Sequence, residues 1–257
     1  MARLMQKLSK SCFLIISLLA TLSSAAEEMV SSERARALIR EMEDLYRADS
    51  SYAQLTMRVE TPHYQRTMTM ESTSLGAEKA FIRILSPKKD RGIATLKLDK
   101  EMWNYFPKIN KVIKVPPSMM MGSWMGSDFT NDDLVKETTL ADEYHLQLQE
   151  TDDQYIIILL PREQTVTVWG KIEYTIDKKS MVPVQQVFFE DDGTKVRVLT
   201  YKEPKQFADA WLPAVMEMVP LNKEGHKTVV IYETLELNVD EISDEVFTLR
   251  NLKKRFR

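Results

Sequence analysis

The sequence is poor in cysteine, histidine and glycine: of 257 residues one is Cys, three are His and seven are Gly. The single Cys12 falls in an apolar N-terminal run. The rest of the chain holds no thiol, which excludes disulfides, Cys-ligated metals and a Cys nucleophile there. His63, His145 and His226 stand alone in strand-patterned sequence. No nucleophile elbow, HExxH or phosphate-binding loop accompanies them. A catalytic site needs a nucleophile, a base and an orienting group together, so the sequence offers an enzyme no residues to stand on. No cofactor motif occurs, and no cofactor is expected. Past the N-terminus no run is long and apolar enough to be a membrane helix.

The N-terminus reads as a secretory leader. Arg3, Lys7 and Lys10 form a basic region, Cys12–Leu22 an apolar one, and Ser24–Ala25–Ala26 offers small residues for cleavage before Glu27. The expected organisation is a signal peptide over 1–26 and one domain over 27–257, soluble, exported and periplasmic. Residues 1–26 carry those three bases and no acid, so the remainder holds 32 basic and 38 acidic residues, a net of −6. That balance argues against nucleic acid and against adsorption to an anionic membrane. The basic end, Lys253–Lys254–Arg255–Phe256–Arg257, reads as a frayed terminus or as a tag for an acidic partner.

Ala35, Leu38, Ile39, Met42 and Leu45 recur at helical spacing after Ser31 and Ser32, which predicts one amphipathic helix over Ser32–Arg47 with Arg36, Arg40, Glu43 and Arg47 on its charged face. From Tyr52 the period falls to two. Met68 and Met70, Ile82 and Ile84, and Leu96 and Leu98 each alternate with partners on the other face. The same holds for Leu146 and Leu148, for Ile172 and Ile176, and for Val196 and Val198, the last pair against Lys195 and Arg197. One dry and one wet face per strand marks an antiparallel sheet. Tyr155–Leu160 is apolar on both faces, so that strand is expected to be covered on both sides. Pro87–Asp90, Asp177–Lys179, Asp191–Gly193 and Asn222–Gly225 supply hairpin turns. Seven glycines are few for a closed barrel. The expected fold is mainly β with α: one large curved antiparallel sheet, an open half-barrel of roughly ten to twelve strands. A long N-terminal helix and a short helix cover its concave face and leave a cavity.

The stretch Glu101–Leu134 carries the functional signal. Trp103 and Tyr105 share one strand face, and Met102, Asn104 and Phe106 the other. Pro116–Pro117 blocks further pairing. Met119, Met120, Met121, Trp124 and Met125 then follow, with Gly122 and Gly126 among them. Methionine is pliable and suits surfaces that meet varied apolar partners. The loop is either core filler or an apolar flap hinged on its glycines. Asp132–Asp133 at a helix start reads as a complement to the helix dipole rather than as a catalytic pair. Trp103 and Tyr105 are the first candidates for a cavity wall, followed by Met68, Met70, Ile82, Ile84, Leu96 and Leu98. The five gate candidates are Met119, Met120, Met121, Trp124 and Met125.

Met102–Trp103–Asn104–Tyr105–Phe106–Pro107, the lysine-bearing turn, and Met125–Gly126–Ser127–Asp128–Phe129–Thr130 through Asp133–Leu134 resemble the outer-membrane lipoprotein-sorting family, the LolA-like group of periplasmic proteins. Ile82–Pro87 with Arg91–Gly92, and Tyr174–Asp177 with Met181–Pro183, look like that family's flanking hairpins. The resemblance implies a half-barrel whose cavity accepts lipid or lipoprotein acyl chains, without catalytic residues. The branch most resembled is associated with RND-type inner-membrane exporters. Where relatives carry arginines after the turn this chain has Ile113–Lys114, and a lysine cannot clamp phosphate bidentately. Two functions follow: a periplasmic carrier, or an accessory or sensor module that binds a protein on the concave sheet without lipid cargo.

Overall fold

The computed structural model describes residues 29–136, 140–208 and 210–254. The leader assigned to 1–26 and the basic residues 255–257 lie outside them. Thirteen strands form one sheet: β1 (Ser50–Glu60), β2 (Gln65–Leu75), β3 (Lys79–Ser86), β4 (Ala94–Leu98), β5 (Glu101–Phe106), β6 (Lys111–Lys114), β7 (Tyr144–Glu150), β8 (Gln154–Pro161), β9 (Lys171–Asp177), β10 (Pro183–Phe189), β11 (Lys195–Phe207), β12 (Ala210–Pro220) and β13 (Lys227–Leu237). Their order is β6-β5-β4-β3-β2-β1-β13-β12-β11-β10-β9-β8-β7. Every neighbouring pair is antiparallel. Two meanders are thus sewn together along β1 and β13, and the outcome is one strand beyond the expected range.

Helix α1 occupies 29–44, beginning before Ser31 and Ser32 and ending in a turn before Arg47. Its apolar stripe, Ala35, Leu38, Ile39 and Met42, is buried in the main core. Its charged face is partly covered, although Arg40 stays exposed. Short helices α2 (Asn131–Lys136) and α3 (Leu140–Glu143) precede β7, and α3 docks on that face. Arg36 donates to the Ala141 carbonyl, Arg40 pairs with Asp142 at 2.8 Å, and Glu43 accepts from the Ala141 amide at 3.2 Å.

The strand register assigns faces. Met57, Met68, Met70, Ile84, Ile157, Leu159, Ile172 and Met218 all belong to the core between the sheet and its helical cover. A second core lies on the opposite side, where Phe81, Ala94, Leu96 and Tyr105 pack against Phe247 and Leu252 of the C-terminal segment, with Leu98 and Trp103 at its margin. Here α4 (Leu249–Leu252), capped by the Thr248 hydroxyl accepting from the Asn251 amide, sits on β4. The two-sided cover expected for Tyr155–Leu160 is corrected. Ile157 and Leu159 are fully buried, whereas Ile156, Ile158 and Leu160 are half-exposed on the outer surface.

Because Leu252 is fully buried in the second core, Leu252→Ala should lower stability by about 2–4 kcal/mol. Urea denaturation measures it.

Candidate functional site

Between the concave face and its cover lies a cavity of about 180 Å³. That is more than ten times the roughly 10–15 Å³ that one water requires. The sheet contributes an apolar and aromatic floor that includes Leu55, Met70, Ile82, Phe188, Leu199 and Met218. The cover contributes Met42, Glu43 and Tyr46 around the end of α1, Trp124 and Phe129 from the crossing loop, Asp132, Asp133 and Leu134 from α2, and Leu140 from α3.

Tyrosines ring this space. Tyr46 stacks on Tyr232 with centroids 5.0 Å apart, and Tyr174 lies 6.5 Å from Tyr201. Gln186 donates to the Tyr201 hydroxyl at 2.7 Å, and Tyr46 donates to the Pro213 carbonyl at 2.8 Å. Tyr144 donates to Thr167 at 3.3 Å, and burial pushes its phenol up to about 12. Each ring lends apolar area and a hydroxyl at once.

One end of the wall is fixed by a buried ion pair. Asp133 takes the Arg197 guanidinium bidentately at 2.5 and 2.8 Å, and Arg197 is sandwiched between Trp169 (4.3 Å) and Phe188 (4.1 Å). Asp133 also closes a capping box with Thr130: the Thr130 amide donates to the Asp133 carboxylate at 2.7 Å, and the Asp133 amide to the Thr130 hydroxyl at 3.1 Å. The reading of Asp133 as a helix-start acid therefore holds, with a partner the sequence did not disclose. Arg197, expected on a wet face, is 4 % exposed. It pairs in register with Phe188, and that places it on the concave side.

The candidate residues separate into groups. Met70, Ile82 and Trp124 line the cavity. Met68 and Ile84 belong to the same core without lining it. Leu96, Leu98, Trp103 and Tyr105 are a correction: they lie in the second core under the C-terminal segment. In β3, β4 and β5 the pairs Phe81–Leu96–Trp103 and Ile82–Thr95–Asn104 face opposite ways. It is the second set, with the polar Thr95 and Asn104 beside Ile82, that looks into the bowl.

The crossing loop is pinned. Trp124 donates its indole N–H to Thr95 at 3.1 Å and is 5 % exposed. Its amide bonds the Phe129 carbonyl, and the Ser127 amide returns to the Trp124 carbonyl. Met125 and Gly126 between them have φ of 52° and 75°, the left-handed pair of a type I′ turn. Gly126 is thus required by the turn. At Gly122 a Cβ would meet the Met119 carbonyl at 3.0 Å, so Gly122 serves close packing and Gly126 the turn. Arg66 donates to the Met125 carbonyl at 3.0 Å, and Thr228 bonds both the amide and the carboxylate of Asp128 at 2.9 and 2.7 Å. Met119 is exposed, Met120 and Met121 are half-exposed, and Met125 packs on the core. Of the five gate candidates only Trp124 reaches the cavity. Among the described residues no group of three or more His, Cys, Asp or Glu could hold a metal, and no helix is long and apolar enough to cross a membrane.

A family model described only as an uncharacterized protein family matches residues 76–254, well over half of the chain. A putative outer-membrane lipoprotein-sorting protein domain from Vibrio parahaemolyticus superposes with a TM-score of 0.74 at 20% identity, over 87% of this chain and 100% of that one. The chain belongs to that uncharacterized family. A DUF1329 family protein from Desulfovibrio piger gives 0.78 at 21% identity over 86% and 99%, and a LolA superfamily protein from Nitrosomonas europaea 0.69 at 20% over 84% and 98%. No protein with a curated description matches by sequence. At these identities the structures establish the LolA-like fold, the single open antiparallel sheet with few helices.

Burial pushes the Glu43 carboxyl up to about 7, against the hydrogen bonds from Ala141 and Leu140 and the charge of Arg40. A carboxyl raised in the folded state is fully tolerated below its unfolded value near 4.5 and costs stability as pH climbs towards 7. Glu43→Gln should remove that fall, gaining on the order of 2–3 kcal/mol at pH 8 relative to pH 4, as read by denaturant titration at the two pH values. Arg197→Ala should cost about 3–5 kcal/mol by leaving Asp133 without its buried partner, measured the same way.

Proposed function

We propose that this LolA-like chain is a periplasmic carrier that takes a lipid or the acyl chain of a lipoprotein into the cavity and shields it from water. The observation that carries the reading is the unfilled apolar space of about 180 Å³ between sheet and cover. Native interiors are close-packed, and a space of this size lined mainly by Leu, Ile, Met and aromatic groups suits an apolar ligand. Each methylene buried there contributes about 0.8 kcal/mol, so one alkyl chain is a strong handle. The chain would collect its cargo from inner-membrane machinery, for which the family resemblance suggests an RND-type exporter, and yield it at the outer membrane. Trp124 is the stopper in this reading, and opening requires its indole bond to Thr95 and the loop's backbone contacts to part. The alternative, a module that binds a protein on the concave sheet, requires a face already covered by α1, the crossing loop and α3 to be vacated.

Two measurements test the carrier. Protein purified from its native cells and extracted for lipid mass spectrometry should release a stoichiometric lipid, and refilled protein should take up an uncharged alkyl-pyrene dye with quenching of its tryptophan fluorescence. Ile82→Trp, which places an indole in the cavity, should weaken dye uptake at least about tenfold, the effect expected when methylenes lose their pocket, while leaving the melting temperature unchanged or higher. Empty native protein that ignores the dye would end the proposal.

A further inference from the structure

Two neighbouring turns at one end of the sheet are basic, although the chain as a whole is acidic, with a formal net charge of −3. The register places Ser86, Ala94, Phe106 and Lys111 at the same end of β3, β4, β5 and β6. The β3–β4 and β5–β6 turns therefore adjoin there. Residues 87–92 and 107–111 hold five bases, Lys88, Lys89, Arg91, Lys108 and Lys111, and one acid, Asp90. Asp90 is committed to Arg66 at 3.0 Å. Lys88, Lys89, Lys108 and Lys111 are exposed, and no carboxylate among the described residues pairs with any of them. Beside Lys108, at the hairpin tip, Ile109 is 59 % exposed. Of the acids that flank this end, Glu60 pairs with Lys227 at 3.3 Å and Asp128 bonds Thr228 at 2.7 Å. Farther round the same end the turns are mixed or acidic, with Lys223 and Glu224 after β12 and Glu190, Asp191 and Asp192 after β10.

The basic turns are connected to the loop that closes the cavity. The amides of Asp90 and Arg91 donate to the Pro87 carbonyl, which gives Lys88 and Lys89 a fixed base. Asp90 holds Arg66, and Arg66 donates to the Met125 carbonyl at 3.0 Å. Met125 follows Trp124, which lines the cavity. Unpaired lysines around an exposed aliphatic side chain suit the headgroup region of a bilayer. Anionic headgroups attract each ammonium near the surface. The lysine stems add apolar area while their heads stay in water, and an isoleucine reaches the acyl boundary. An acidic protein would also draw the lysines, but it would need a pocket shaped for Ile109, whereas a bilayer takes that side chain without one.

We infer that the β3–β4 and β5–β6 turns form a docking surface for an anionic lipid bilayer. Lys88, Lys89, Lys108 and Lys111 meet the headgroups, and Ile109 enters among them. The attachment is peripheral and reversible by salt, and the acidic remainder of the chain keeps it to this one end. It brings the turn tied to Met125 against the membrane, where cargo for the proposed cavity would be exchanged. The surface does not depend on that cargo, so vesicle binding and dye uptake can fail separately.

Co-sedimentation of the full chain with sucrose-loaded vesicles tests the inference, with about 30 % phosphatidylglycerol in phosphatidylcholine against phosphatidylcholine alone. The protein should partition onto the anionic vesicles at least about tenfold better, and raising NaCl from about 50 to about 500 mM should release it. K108Q/K111Q should weaken binding at least about tenfold, and Ile109→Ser about threefold or more. K179Q/K205Q removes the same charge from exposed lysines at the opposite end of the sheet, and it should bind within about twofold of the wild type. All these side chains are exposed, so the melting temperatures should match the wild type. Wild-type protein that ignores the anionic vesicles or binds both kinds alike overturns the surface. So does K179Q/K205Q losing as much binding as K108Q/K111Q. Each of these results leaves the cavity reading untouched.

Discussion

The structure depends on one topological constraint. Strands β6 and β7 are consecutive in the chain yet form opposite edges of a thirteen-stranded sheet. The described parts of the connection, residues 115–136 and 140–143, run over the concave side, while the C-terminal segment packs on the opposite face over β3, β4 and β5. The crossing brings Trp124, Phe129, Leu134 and Leu140 over the bowl. Helix α1, entering just before the central strand β1, shares that space and meets α3 through Arg36, Arg40 and Glu43. A curved sheet this wide encloses more room than one helix, two short ones and a loop can fill. The remainder is the cavity.

What orients the cover is polar, even though what it covers is apolar. Hydrophobic contact is non-directional and would let the crossing loop settle in many ways. The Trp124–Thr95 bond, the bidentate Asp133–Arg197 pair and the Asp128–Thr228 pair each tie one part of the loop to one strand: β4, β11 and β13. Together they span the bowl from one meander to the other. A buried pair such as Asp133–Arg197 adds little net stability over an apolar substitute. Its value here is positional, since it sets α2 against the wall with the aromatic rings of Trp169 and Phe188 as its bed.

Much of this was legible in the sequence. Period-two alternation identified the buried side of β2, β7 and β9, the 3.6 period located α1, and the concentration of Met, Trp and Gly after Pro117 marked the crossing loop. Asp133 was read as a helix-start acid, which it is. Arg197 was read as wet, because a charged residue between valines in a strand looks solvated until its partner, 64 residues away, comes into view. Glu43 looks like one more residue of a charged helix face, and only the docking of α3 shows that its own carboxyl is partly buried.

Alternation separates the two sides of a strand but does not say which side a sheet will curve around. Leu96 and Trp103 are as dry as Met70 and Ile82, and nothing local distinguishes them. The sequence by itself determined that this chain forms half-buried strands with one amphipathic helix. Tertiary structure alone decided which apolar face closes on the C-terminal segment and which opens on a cavity, because curvature and cover are set by contacts between residues far apart in the chain.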